Sequence, residues 1–316
     1  MAHLTRTTTL GPGREFDLIR AMLEIWGPMA AGIGDDAAIV EVPAGQQLVV
    51  STDSSVEDVH FRRRWLAPEE IGYRATQAAL SDLAAMAASP LGFVVALTLP
   101  RAWHAELPAL ASGIGQAAHE TGATIRGGDL TSGSSLSITV TVLGAASAPL
   151  GRAGAQPMDQ LYVTGALSGP LRAVRAWERG TPPSAWCRDR FARPRARLRE
   201  ARWLAARGAH AMIDISDGLA SELEHLASAG RFELRVDVDR IPCGDGGSWR
   251  EALESGEEYE LLVAMPREVD VDAFARTFGI PITAIGHVRQ AESAMVVATH
   301  GGVRVDLARG HDHFST

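Results

Sequence analysis

Short apolar runs that stop at polar turn residues recur along the chain, at 48–51, 93–99, 136–143, 161–163, 211–215, 234–238, 261–264 and 282–285. Each is too short for a helix of ordinary length and is rich in Val, Ile and Leu, which predicts β-strands. Helical spacing of apolar residues appears between several of them, at 71–88, at 107–121 and at 216–229, where Leu219, Leu223 and Leu226 share a face. Strands alternating with helices predict a mixed α/β (α+β) fold. At roughly 100–200 residues per domain, 316 residues suffice for two domains. A loop rich in Ala, Gly and Pro at 145–157 predicts the boundary, giving domains 1–148 and 149–316. No repeat period or low-complexity tract points to a solenoid or a disordered scaffold.

Charge and composition narrow the function. The formal charge of −8 argues against a nucleic-acid partner, whose phosphates require a basic surface. The eight arginines between Arg188 and Arg207 alternate with Phe191, Leu198, Trp203 and Leu204, which predicts a solvated helical face. No window is apolar enough for a membrane span, and the first ten residues lack the apolar core of a secretory leader, so a soluble cytoplasmic protein is expected. Two cysteines, Cys187 and Cys243, are expected to be buried thiols. The chain contains no lysine at all. That excludes the P-loop, the protein-kinase strand lysine and the pyridoxal Schiff base, so any phosphate chemistry must rest on metals, backbone amides and arginine.

Aspartates stand beside Gly, Ser or Thr where apolar runs stop: Gly34-Asp35-Asp36, Ser51-Thr52-Asp53, Ser81-Asp82, Gly127-Gly128-Asp129 and Asp214-Ile215-Ser216-Asp217-Gly218. Such hard oxygen donors suit Mg²⁺ shared with substrate phosphates. Taken singly, each motif also reads as a turn or a helix N-cap. In the last motif, the period of a strand puts Asp214 and Ser216 on one side, and Asp217 is expected to open the following helix, so two carboxylates converge near a helix N-terminus. Adjacent glycines at 127 and 128 permit close approach of the backbone to a ligand. A zinc site is not expected from the short cluster His311-Asp312-His313, nor a hydrolase elbow from Gly165-Ala166-Leu167-Ser168-Gly169, which has the wrong spacing.

With these motifs assembled, the chain resembles the thiamine-monophosphate kinase family, in the superfamily of aminoimidazole ribonucleotide synthetase and selenophosphate synthetase. The likeness runs nearly end to end. It takes in Glu15-Phe16 with Leu18-Ile19, GIGDDAAIV from Gly32, STDSSVEDVHF from Ser51, LSDLAAMAASP from Leu80, GGD from Gly127, LYVTG from Leu161, DISDGL from Asp214, EEYEL from Glu257 and GHDHF from Gly310. The resemblance implies an aminoimidazole ribonucleotide synthetase-like fold in which residues 1–148 bind ATP and magnesium and pair across a homodimer into a β-barrel. It also implies transfer of the γ-phosphoryl group of ATP to thiamine monophosphate. Asp36, Ser51, Thr52, Asp53, Asp82, Asp129, Asp214 and Asp217 would hold several Mg²⁺ ions. Gly128, Asp129, Arg152 and Ser216 would touch ATP, and His60, Glu257 and His311 the acceptor. No general base is implied, because the nucleophile is a phosphate oxygen that is already ionised. The chain departs from the family pattern at Ala79, where Asn is usual, at Ser255 and Glu258 in place of Gly and Asp in GGEDYEL, and at His311 in place of a larger aromatic residue. Two other readings stay open: a superfamily enzyme with a different small-molecule acceptor, and a non-catalytic nucleotide-binding protein.

Overall fold

The computed structural model describes residues 13–307. They divide into two compact units, one of residues up to Leu83 together with Ala88–Ala148, the other of Ala84–Ala87 and everything from Pro149 on.

The first unit contains helix α1 (Arg14–Trp26), strand β1 (Gln47–Val56), α2 (Pro68–Ala85), β2 (Ser89–Thr98), α3 (Leu107–Thr121), β3 (Ile125–Thr131) and β4 (Ser137–Ala146). Its four strands form one sheet in the order β1-β4-β2-β3, antiparallel except for the parallel β2–β3 pair. Alternation of side chains gives this sheet two unlike faces. Ile138, Val140 and Val142 of β4, with Phe93, Val95 and Leu97 of β2, are buried in the core. On the other face, Leu48, Val50, Thr52 and Ser54 of β1 are exposed. Helices α2 and α3 supply much of the remaining core, including Ile71, Leu80, Leu83, Leu110 and Ile114, each 0% exposed. Their crossing depends on Gly113, where an added Cβ would stand 1.8 Å from the carbonyl oxygen of Glu69.

The second unit contains β5 (Gln160–Thr164), α4 (Gly169–Glu178), α5 (Ala185–Ala192), α6 (Leu198–Ala205), β6 (Ala211–Asp214), α7 (Leu219–Gly230), β7 (Glu233–Asp237), α8 (Trp249–Glu254), β8 (Leu261–Met265), α9 (Val271–Phe278), β9 (Ile282–Arg289), β10 (Met295–His300) and β11 (Val303–Val305). The seven strands form a mixed sheet ordered β11-β10-β7-β9-β5-β8-β6. β8 lies next to the edge strand β6 and is buried along its whole length, which is why its sequence, Leu-Leu-Val-Ala-Met, is a continuous apolar run without alternation. Helix α7 buries Leu219, Leu223 and Leu226, the face its spacing predicts. It starts at Leu219 with Gly218 as N-cap, two residues later than the expectation that Asp217 opens it.

All eight expected strands are present, together with three that were not expected: β3, β10 and β11. Neither sheet closes into a barrel among the described residues. No described helix is long and apolar enough to cross a membrane. The expected solvated face at 188–207 is corrected at Arg190 and Arg197, which turn inward onto buried carboxylates.

Candidate active site

The candidate residues fall into three local groups. In the first, β1 and α2 bring together Ser51 and Asp82, whose hydroxyl and carboxylate Oδ2 lie 2.5 Å apart. Asp53 is two residues along β1 and so shares the face of Ser51. Its Oδ1 accepts the Ser54 N–H at 2.8 Å. Thr52 points to the opposite face, where its hydroxyl pairs with that of Thr141 at 2.9 Å. His60 follows in the turn after β1, and its Nδ1 accepts the Val56 N–H at 3.1 Å. That bond places the proton of a neutral ring on Nε2.

The second group surrounds a cavity of about 740 Å³, between α1 with the loop at residues 32–38 and strands β2, β3 and β4. Such a volume falls in the range of roughly 300–1,000 Å³ common for small-molecule sites. Phe16, Ile19 and Trp26 give it an apolar wall, while Asp36, Gly128 and Asp129 give it a polar rim. Gly128 is required sterically, since an added Cβ would lie 1.9 Å from the Val95 carbonyl oxygen on the neighbouring strand. β3 and β1 occupy opposite edges of the sheet, so Asp129 is separated from Asp53 by three strand spacings, roughly 14 Å.

The third group belongs to the second unit. Asp214 ends β6 and is 5% exposed, and Ser216 and Asp217 form the loop into α7. Glu222 of α7 closes this loop from below. Its Oε1 accepts the Asp217 N–H at 3.0 Å, the Ser216 N–H at 3.3 Å and the Ser216 hydroxyl at 3.4 Å. Burial raises the Glu222 carboxyl above its ordinary range, against the Asp217 amide bond that favours the charged form. Sequence reading missed Glu222, because a capping box places the acid three residues after the cap, whereas Glu222 lies six after Ser216. Arg152 sits in a short 3-10 turn, Arg152–Gly154, that packs on α7 and β6, and its side chain is exposed. Glu257 lies beside the loop, its N–H donating to the Ser216 carbonyl at 2.6 Å. His311 lies outside the described residues.

Among the described residues no three His, Cys, Asp or Glu side chains converge into a ready-made metal cage. Serine and carboxylate oxygens in small groups are hard donors, of the kind that Mg²⁺ accepts where it keeps water and takes phosphate oxygens as further ligands.

Two family models match most of the chain, "AIR synthase related protein, N-terminal domain" over residues 34–146 and "AIR synthase related protein, C-terminal domain" over residues 173–298. The thiamine-monophosphate kinase of Salmonella typhimurium is 34% identical over 96% of this chain and 97% of its own length. The chain belongs to the thiamine-monophosphate kinase family. Among solved structures, the family member from Stenotrophomonas maltophilia is similar with a TM-score of 0.79 and 31% identity, covering 94% of this chain and 98% of that one. AaThiL complexed with AMPPCP and TMP is similar with a TM-score of 0.74 and 26% identity, covering 95% of this chain and 96% of that one. A family likeness of this extent spans all three groups of candidate residues.

Proposed function

We propose that the protein transfers the γ-phosphoryl group of ATP to the phosphate of thiamine monophosphate, giving thiamine diphosphate and ADP. The observation that carries this reading is the near full-length likeness to thiamine-monophosphate kinases, one of which holds an ATP analogue and TMP together. Without lysine, charge neutralisation falls to Arg152 and to metal held by carboxylates. Ser51, Asp53 and Asp82, then Asp36 and Asp129, then Asp214 and Asp217 are the proposed magnesium ligands. Several ions suit a donor set spread over separate groups. Thr52 would contribute its backbone carbonyl, because its hydroxyl is engaged with Thr141 on the other face. When bound, Mg²⁺ supplies positive charge that offsets the repulsion between the two phosphate chains.

The chain's own groups have positioning roles. Gly128 allows the β3 backbone to approach ATP, with Asp129, Arg152 and Ser216 as further contacts. His60 and Glu257 hold the acceptor, joined by His311. In-line geometry and charge neutralisation are the main requirements of phosphoryl transfer, so no side chain need act as general base. Ala79 and Ser255, two departures from the family pattern, are both 0% exposed, which makes them core substitutions.

Two copies are proposed to pair through the open face of the first sheet, closing an eight-stranded barrel from two four-stranded halves. Support comes from Leu48 and Val50, apolar yet 49% and 54% exposed on that face. Action in the cytoplasm is consistent with two free thiols, Cys187 and Cys243.

The test is release of ADP by purified protein with ATP and Mg²⁺, with and without thiamine monophosphate, and direct detection of thiamine diphosphate. Acceptor-dependent formation of both products in equal amounts is expected. ADP formed only with a different acceptor would move the reading to another superfamily reaction. ATP binding with no ADP from any acceptor would reduce the protein to a nucleotide binder.

A further inference from the structure

The segment carrying Glu257 continues the β6–β8 pairing irregularly along the Asp214–Asp217 loop. Besides the Glu257 bond to Ser216, the Tyr259 N–H donates to the Ile215 carbonyl at 2.9 Å and the Ile215 N–H to the Glu260 carbonyl at 2.8 Å. Glu257 and Tyr259 hold left-handed backbone, with φ of 59° and 52°. Side chains other than glycine adopt that conformation only where the surroundings over-determine it.

What over-determines it here is a buried clamp. Glu258 and Glu260 turn inward and are both 0% exposed. Arg190 reaches both: Nη2 donates to the Glu258 carboxylate at 3.1 Å and to the Glu258 carbonyl at 2.9 Å, and Nη1 lies 2.9 Å from Glu260 Oε1. Arg197 completes a fork on Glu260, with Nε at 2.8 Å and Nη2 at 2.5 Å, and the Thr164 hydroxyl adds a bond of 2.7 Å. Glu258 also accepts the Ser168 N–H at 2.5 Å and a hydrogen bond from the Ser255 side chain. Ser255 and Glu258 both depart from the family's GGEDYEL pattern, and they touch each other.

We infer that Arg190 is a positioning residue for the phosphate acceptor: by tying Glu258, its carbonyl and Glu260 together, it fixes where Glu257 presents its carboxylate relative to Ser216. This rests on the proposed contact of Glu257 with thiamine monophosphate. Arg190 itself touches no reacting atom. A planar fork that bridges two carboxylates is specific to arginine, so lysine restores the charge but only part of the geometry.

The experiment compares wild type, Arg190→Lys, Arg190→Gln, Glu257→Gln and the Arg190→Gln/Glu257→Gln double variant by steady-state kinetics, with thermal midpoints alongside. Arg190→Gln is expected to raise KM for thiamine monophosphate about tenfold or more while KM for ATP moves less than about twofold, with Arg190→Lys between it and wild type. In the Glu257→Gln background the same change should add less than about twofold, because residues acting through one another are non-additive. An equal rise in both KM values, full additivity in the double variant, or a lowered midpoint with unchanged KM would each overturn the inference. Should Arg190→Gln fail to fold, Glu258→Gln carries the same readout: a raised acceptor KM supports the clamp, and an unchanged one contradicts it. If wild type itself shows no turnover of thiamine monophosphate, the functional reading fails, and hydrogen exchange then tests the clamp alone. Faster exchange of the Glu257 and Tyr259 amides in Arg190→Lys sustains it; unchanged protection overturns it.

Discussion

Single carboxylates carry opposite duties in this chain, and burial with hydrogen bonding separates them. Asp214 and Asp217, the proposed metal ligands, stand where β6 hands over to α7, whereas Glu222 and Glu258 accept backbone N–H groups and Glu260 is held by Arg190, Arg197 and Thr164. Replacing Asp214 and Asp217 together by asparagine should lower Mg²⁺-dependent turnover roughly 100-fold or more, as loss of charge stabilisation does in other enzymes. Circular dichroism and the thermal midpoint should stay near wild type, and substantial residual turnover would count against the metal assignment. Glu258 provides a pH test. Burial pushes its carboxyl up to about 7, against the attraction of Arg190, from an ordinary value of 4.5. Between those values the folded state binds more protons than the unfolded, so this residue's contribution to stability is greatest below the ordinary value and declines as pH rises towards about 7. Glu258→Gln should flatten that part of the stability–pH curve; an unaltered slope would place the titration elsewhere. The motif aspartates stood out in the sequence because each sits beside Gly, Ser or Thr, although Asp53, Asp82 and Asp129 lie within β1, α2 and β3 and Asp214 is buried at the end of β6. Arg190 and Arg197 did not stand out, because their partners lie 68 and 63 residues away, and nothing local marks an arginine as buried.

At the scale of elements, the strands that the sequence concealed are instructive. β3 contains Gly127-Gly128, which reads as a turn, yet β2 pairs with it from Phe93 to Thr98 and supplies the hydrogen bonds that hold it extended. Gly128→Ala should therefore destabilise the protein by roughly 1–3 kcal/mol, typical of overpacking, and lower turnover with it. A thermal midpoint within error of wild type would show that β3 can move aside. The loop before α7 depends on Glu222 in a comparable way. Glu222→Ala leaves the Ser216 and Asp217 amides without their acceptor, at a cost of about 1–3 kcal/mol. Glu222→Gln keeps an acceptor oxygen and should retain more stability and more turnover than the alanine variant. Equal losses would point to the charge and not the hydrogen bonds.

On the scale of the whole molecule, the mixed α/β class and the eight apolar strands followed from sequence, since a buried strand needs a short apolar run wherever it falls in the fold. Sheet order did not follow, because it is set by packing between residues far apart in the chain. The open face of the first sheet bears on assembly. Scattering-derived mass in solution should be near twice the 33.6 kDa of one chain, and Val50→Arg should shift it towards a single chain. A wild-type mass equal to one chain would remove the barrel. Transfer of phosphate to phosphate is measured most directly with ATP labelled at the γ position. With thiamine monophosphate present, label is expected in thiamine diphosphate, one equivalent for each ADP released. Label found only in inorganic phosphate, or remaining in ATP despite bound thiamine monophosphate, would contradict it.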